Sequence, residues 1–466
     1  MGRPNDPAVR PLARAAFAFT MATVLAAAAG CDGCRDRTTR PASTKDASTK
    51  TAHDSGATAQ TDGAAPKPLR LKPRSMDELP TTAADIYFGN LDGQIEELTR
   101  IMTLQGAETL PSHLRLASSF HYTRGRFRGD LDEIALAIET LGKCVKIEPK
   151  GPDCFVMRAE QEQSLHRFAE TRADIDRAKK LNVDASRVAD LETELDWNGG
   201  RYDVAIKAIR EARLERPTSG SWMREAQLEH DLGNDDKVDA AFEAAEDLIV
   251  DTNPLPVAHL NVQRGMVKAS AGRLEDAILF FREAVVRIPN YVAGQEHLAE
   301  ALHQLGQDEE ATKIYESIVK QSDDPEFMHA LASLYKAHGK PDKARELDAK
   351  ATSRYEALLK KYPEAMYWHA SEFYLDTGNA AKAVDLLRKN VVLRPNSLSF
   401  TALAHAELEN KQTTEAKASI DKALAMPIKS ADLFFTASKV YEATGDTAAA
   451  ATYLTRAKAL NPRIGK

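Results

Sequence analysis

From about residue 118 onward, apolar residues recur three and four positions apart, the spacing of one helix face, and the pattern itself repeats about every 34 residues. The last stretch shows it most clearly. Phe434, Ala437, Ser438, Tyr441, Gly445, Ala450, Leu454, Ala457 and Pro462 fall at positions 4, 7, 8, 11, 15, 20, 24, 27 and 32 of a unit starting at Ala431. Small side chains at 8, 20 and 27 let two helices approach closely. Larger apolar groups at 4, 7, 11 and 24 fill the space around them. A glycine near 15 lets the chain turn, and a proline at 32 stops the second helix. Each unit therefore predicts a pair of helices.

The same template fits upstream. A unit from Val292 supplies Leu298, Ala299, Leu302, Gly306, Ala311, Tyr315 and Ile318. Others start at Ala258 (Gly265, Gly272, Ala277, Phe281, Ala284), Pro325 (Leu331, Ala332, Gly339, Ala344, Ala351), Glu364 (Tyr367, Ala370, Ser371, Gly378, Ala383) and Ser397 (Phe400, Ala404, Ala416, Ala423). Two departures stand out: Asp348 occupies an apolar position, and Lys411 a glycine position. Weaker units begin at Ser118, Pro152 and Ser186. A displaced one begins at Gly220, with a second helix predicted to run on toward Asn253-Pro254. A long helix is predicted from Pro341 to Lys361, before Pro363.

These positions resemble the tetratricopeptide repeat closely. The resemblance implies an all-α fold, a right-handed α-solenoid of about ten helix pairs between Ser118 and Pro462. Residues 118–257 form N-terminal units and 258–466 the C-terminal ones. Residues 76–117, with the amphipathic stretch Gln94–Thr103, form a divergent helical cap, since a solenoid needs an atypical end to stay soluble.

The chain of 466 residues is 43% hydrophobic, ample for a large fold, and carries a formal net charge of −7. That balance argues against a general nucleic-acid binder. The N-terminus reads as a targeting segment. Arg3, Arg10 and Arg14 precede an apolar run, Ala15–Ala29, shorter than the roughly 20 residues of a spanning helix, and Ala28-Ala29-Gly30-Cys31 follows. This resembles a bacterial lipoprotein signal over residues 1–30, with Ala28 where that family prefers a larger aliphatic. It implies acylation of Cys31 and anchoring to a bacterial membrane, facing the periplasm or the outside. Residues 31–75, rich in Ala, Thr, Ser, Asp, Lys and Pro, cannot offset their ordering entropy by burial and read as a disordered tether. Export permits disulfides. Cys144 and Cys154 flank a predicted helix–helix loop, where a bridge is feasible; the other reading is two small buried apolar groups.

The sequence contains no HExxH, phosphate-binding glycine loop, GxSxG or EF-hand motif. No enzyme, cofactor or metal is expected. Attention therefore turns to the groove. In tetratricopeptide proteins the first helix of each pair lines the concave side, through positions 2, 5, 9 and 12. Transferred here, position 5 gives Glu296, His329, Trp368, Thr401 and Phe435; position 9 gives Glu300, Ser333, Glu372, His405 and Lys439; position 12 gives His303, Lys336, Leu375, Leu408 and Glu442. From these, His303, His329, Lys336, Trp368, Glu372, His405, Phe435 and Lys439 form the candidate partner-binding set. A register error of one would instead pack Trp368 and Phe435 between helices. The N-terminal position 5 set is Tyr122, Val156, Asp190 and Arg224. The expected role is an envelope-attached scaffold or assembly adaptor that holds a protein or peptide partner in the groove. The alternative is a periplasmic carrier or structural protein that binds glycan or peptidoglycan, with Trp368 and Phe435 as exposed stacking platforms.

Overall fold

A computed structural model describes residues 69–465, apart from 105, 107 and 108. The signal segment, Cys31 and the tether up to residue 68 lie outside the described residues. Among those described there are 21 α-helices and no strand. Ten antiparallel pairs follow one another, from Pro111–Arg128 with Leu131–Ile147 to Ala431–Ala443 with Thr447–Leu460, and the single helix Ala84–Met102 precedes them. The chain is an all-α solenoid.

Eight of the ten first helices begin within one residue of the template, at Asp153, Ser186, Ser219, Val292, Pro325, Pro363, Ser397 and Ala431. The long helix spans Pro341–Lys361. Two starts differ. The first pair opens at Pro111, not Ser118, because proline at the first position favours helix initiation there. Residues 111–117 thus belong to the first pair, and the preceding helix runs over Ala84–Met102, well beyond the amphipathic core at 94–103. The fifth pair opens at Pro254, not Ala258: the Asn253 side chain accepts from the Leu255 N–H, and Pro254 again sits at the first position. The helix before it accordingly ends at Asp247 rather than running on to Asn253.

Packing explains the small residues. Ala284, Ala299, Ala311, Ala351, Ala383, Ala404, Ala416 and Ala457 are completely buried. A Cβ on Gly265 would stand 2.5 Å from the Phe281 ring. Asp348, the misfit of the pattern, accepts a hydrogen bond from His329 Nδ1 at 2.8 Å. Two unorthodox residues thus satisfy each other between the helices of one pair. Gly306, Gly339, Gly378 and Gly445 turn between helices at φ of +69° to +84°, and Lys411 takes the same left-handed conformation at φ 60°. An L side chain there costs roughly 1 kcal/mol. Lys411→Gly is therefore expected to raise stability by about 1 kcal/mol, read from chemical denaturation; an unchanged or lowered midpoint would show that the turn is not strained.

The coil closes on itself. Ser397 N donates to Tyr202 Oη at 2.9 Å, Lys429 N to the Asp231 carbonyl at 2.8 Å and Asn461 Nδ2 to the Ser270 carbonyl at 3.1 Å. Lys361 and Tyr362 both donate to Asp132 Oδ1, at 2.8 and 2.6 Å. A Cβ on Gly200 would sit 2.5 Å from the Pro395 carbonyl oxygen. These bonds join residues 191 to 230 positions apart. The helix-to-helix turns of the N-terminal units rest on the inter-unit loops of the C-terminal units. Apolar packing crosses the same seam: Tyr122, Ile134 and Leu165 share a core cluster with Met366, Trp368, Phe373 and Leu403.

A strap from residue 69 to 83 lies across the fourth and fifth pairs. Arg70 and Arg74 pair with Glu246 and Asp247. The Thr82 N–H donates to the Thr252 carbonyl at 2.7 Å. Residues 69–75, expected to belong to the tether, are therefore held on the fold. The strap's carbonyls accept from two buried arginines, that of Arg70 from Arg264 and those of Arg74 and Leu79 from Arg287.

Candidate functional site

The inner wall of the coil is built from first helices, and its burial is graded. At position 5, Glu296, His329, Trp368 and Thr401 are all buried. At position 9, Glu300, Ser333 and Glu372 are half-buried, while His405 and Lys439 are exposed. At position 12, His303 is half-buried and Lys336 exposed. In each of these helices positions 9 and 12 are less buried than position 5, so the end nearer the turn is the freer edge of the wall.

The candidate residues divide accordingly. Trp368 is only 6% exposed and packs in the seam cluster. The expectation of an open-groove ring there is corrected: closure of the coil brings Ile134 and Leu165 against it. His329 is likewise taken up inside, between Asp348 Oδ1 and Asp376 Oδ2 at 2.8 and 3.5 Å and edge-on to Phe373 at 5.0 Å. Phe435 is half-buried, with Gly465 against its ring and Lys439 Nζ 5.6 Å from its centroid. Neither ring stands as an exposed platform, so the sugar-stacking alternative loses the feature that prompted it. His303 Nδ1 lies 2.7 Å from Asp308 Oδ1. Lys336, Glu372, His405 and Lys439 remain reachable from the free edge. The candidates do not form one cluster; they spread from the buried wall to the rim.

Two cavities open on the inner wall. One, of about 190 Å³, lies between Arg126, Gly129 and His166 on one side and Glu296, Asp324, Glu326, Trp368 and His369 on the other. The second, of about 160 Å³, is lined by Tyr202, Gln227, Asp231, Gln263, Ser399 and Asp432 among others. Arg394 borders both. Each would admit a side chain or small ion, not a folded domain.

Acids dominate the electrostatics of this wall. Protein surrounds them, and the narrow lumen gives them little bulk hydration, which disfavours the charged form. Burial raises Glu160 to about 7, opposed by Arg126. It raises Asp231, Asp324 and Asp432 each to about 6. For Asp324 the charge of Glu326 adds to burial, and for Asp432 that of Glu300. Burial lifts Glu194 well above the carboxylate range, opposed by Arg224. His259 is driven down to about 3 by burial and Arg126. The sequence reading missed most of these. Position 9 of the N-terminal units would have named Arg126, Glu160 and Glu194. Asp432 and Asp231 hold positions 2 and 12 of their units and are named the same way, whereas Asp324, just before its first helix, carries no such signal.

Away from the lumen, Cys144 and Cys154 form a bonded pair with Cα atoms 6.0 Å apart, joining the first pair to the second. Both are completely buried, beside Leu114 and Leu141.

Comparison with known proteins bears on the repeats. Family models described as tetratricopeptide repeat match residues 268–334 and 431–464. No curated protein gives a significant sequence match. Among solved structures, the chain is similar to the Cut9–Hcn1 hetero-tetramer of the APC/C, at 13% identity over 81% of this chain and 79% of that one, TM-score 0.37. It is also similar to a tetratricopeptide repeat protein from Parabacteroides merdae, at 17% identity over 52% and 93%, TM-score 0.32. A third is PilF of Pseudomonas aeruginosa, at 15% over 44% and 92%, TM-score 0.27. No helix among the described residues is long and apolar enough to cross a membrane. This chain is an α-solenoid that carries tetratricopeptide repeats over residues 268–334 and 431–464.

Proposed function

We propose that the chain is a protein-interaction scaffold, held at a bacterial membrane by a lipid on Cys31, whose inner face takes an extended basic polypeptide segment. Tetratricopeptide repeats support the scaffold reading, and the targeting pattern of residues 1–31 supports the anchor. The observation that carries the choice of partner is the set of crowded inner carboxylates, above all Asp231 and Asp432, which border one cavity. A lysine or arginine side chain entering there would return the stabilisation that these groups lost with their hydration. The exposed groups at the rim, Lys336, His405 and Lys439, would meet the polar flanks of the same segment.

The sign of the pH effect follows. Both aspartates are raised to about 6, so they are charged at pH 7.5 and largely protonated at pH 5. A basic peptide should bind at pH 7.5, and its affinity should fall as pH drops through 6. The fold itself moves the other way: a raised carboxylate pKa adds stability as pH falls through that value toward the ordinary aspartate range. Fluorescence anisotropy with oligo-lysine and oligo-glutamate peptides tests this. The double variant Asp231→Asn, Asp432→Asn should weaken the basic peptide at least tenfold. Equal binding of both peptides, or an unchanged double variant, would overturn the reading. For the anchor, intact mass of the native protein should show a chain starting at Cys31 with acyl chains attached.

A further inference from the structure

A second feature of the inner wall is chemically distinct from the carboxylate lining. Glu326 sits in the first turn of Pro325–Ala337, while His369 and Glu372 lie one helical turn apart on Pro363–Asp376. One ligand atom from each of the three lies within 4.8 Å of the others. His369 Nδ1 is 3.1 Å from Glu326 Oε2. Residues three apart share a helix face, so His369 and Glu372 point together, and the neighbouring unit brings Glu326 to them. An imidazole with two carboxylates is a donor set for a transition-metal dication such as Zn²⁺. Zn²⁺ takes such nitrogen and oxygen ligands at about 2.0–2.2 Å.

Two further observations point to a positive guest. Glu326, Glu372 and Asp324 all act on His369 with negative charge. Across the same cavity lies Glu296, only 4% exposed: its Oε2 pairs with His297 Nδ1 at 2.9 Å, while its Oε1 is buried without a hydrogen-bond partner. A bare buried carboxylate oxygen is costly, and a dication in the shared cavity would compensate it. The two arginines of this cavity are engaged elsewhere: Arg126 with Tyr122 at 3.4 Å, and Arg394 with Asn390 Oδ1 at 3.2 Å.

We infer that Glu326, His369 and Glu372 form a Zn²⁺-binding site that ties the seventh helix pair to the eighth. The ion would link two first helices separated by the long helix Pro341–Lys361. Calcium, which prefers oxygen ligands throughout, should not substitute.

Titration calorimetry of the full-length protein with ZnCl₂ and with CaCl₂ tests this. One equivalent of Zn²⁺ should bind and Ca²⁺ should not. Glu326→Gln and His369→Gln should each weaken Zn²⁺ at least tenfold. His230→Gln is the control, because that imidazole pairs with Asp235 in the fourth helix pair, outside this cavity; it should leave the affinity unchanged. Circular dichroism establishes that each variant folds, and Glu372→Gln replaces any that does not. Absence of Zn²⁺ binding, retention in both site variants, or loss in His230→Gln would each overturn the assignment.

Discussion

Replacing Trp368 by alanine is expected to destabilise the fold by about 3–5 kcal/mol, the range for a large aromatic removed from a packed core. Three observations place it there. The indole is almost fully buried, and its cluster draws Tyr122, Ile134 and Leu165 from the first two units together with Met366, Phe373 and Leu403 from the eighth and ninth. It also borders the larger cavity, so truncation enlarges a void that the surrounding helices cannot readily collapse. Finally, the cluster spans the seam. Its loss should loosen the polar contacts beside it, Lys361 and Tyr362 on Asp132 and His166 on the Glu364 carbonyl. A denaturant melt followed by circular dichroism should show a lowered midpoint. Hydrogen exchange should rise at residues 129–134 and 360–366 before it rises elsewhere. A melt like that of the parent, with native helicity, would return Trp368 to the accessible surface and reinstate it as a partner anchor.

The contrast between the repeat and its closure shows what one sequence discloses. Local rules were legible. Small residues at fixed spacing name helix contacts because a methyl too many collides, as Gly265 against Phe281 shows. Prolines mark boundaries because they fix φ, and turn glycines because they alone take positive φ without strain; Lys411 is recognisable as the exception. Superhelical closure is different in kind. It accumulates from small rotations at each unit, and no single residue encodes it. Tyr202 meeting Ser397, or Asp132 meeting Tyr362, leaves no trace in spacing. Position 5 could be assigned to the inner side, yet whether that side is an open groove or a seam depends on the sum of ten rotations. The same holds for Glu326 and His369, 43 residues apart: a motif search reads near neighbours, and these ligands become neighbours only after two units stack. The buried arginines were hidden for a related reason. Arginine in a helix ordinarily signals surface, and its burial here depends on a strap placed more than 190 residues earlier.

That strap carries the second large effect. Arg287→Leu is expected to cost about 3–5 kcal/mol, the range for removing one member of a buried charge pair. The Arg287 side chain is completely inaccessible. Its Nε donates to Glu283 Oε1 at 2.9 Å, its Nη1 to the Leu79 carbonyl at 2.7 Å and its Nη2 to the Arg74 carbonyl at 2.9 Å. Leucine fills part of the volume and supplies none of these donors. Glu283, already raised by burial and held down by the Arg287 charge, would be left buried without its cation, and two strap carbonyls would lose their donor. Arg264, which donates to the Arg70 carbonyl and pairs with Asp239 at 3.0 Å, keeps hold of only one end. The strap can escape this cost by lifting off, which lets water reach the orphaned groups. The loss should therefore appear in two places: a lower melting midpoint, and trypsin cleavage at Arg70 and Arg74 that the parent resists. Arg74→Ala provides the contrast, since it removes only a partly exposed pairing with Glu246 and Asp247 and should shift the melt far less. Continued protection of residues 69–82 in Arg287→Leu, with an unchanged midpoint, would show that the carbonyl clasp does not hold the strap and that the Arg70 and Arg74 ion pairs do.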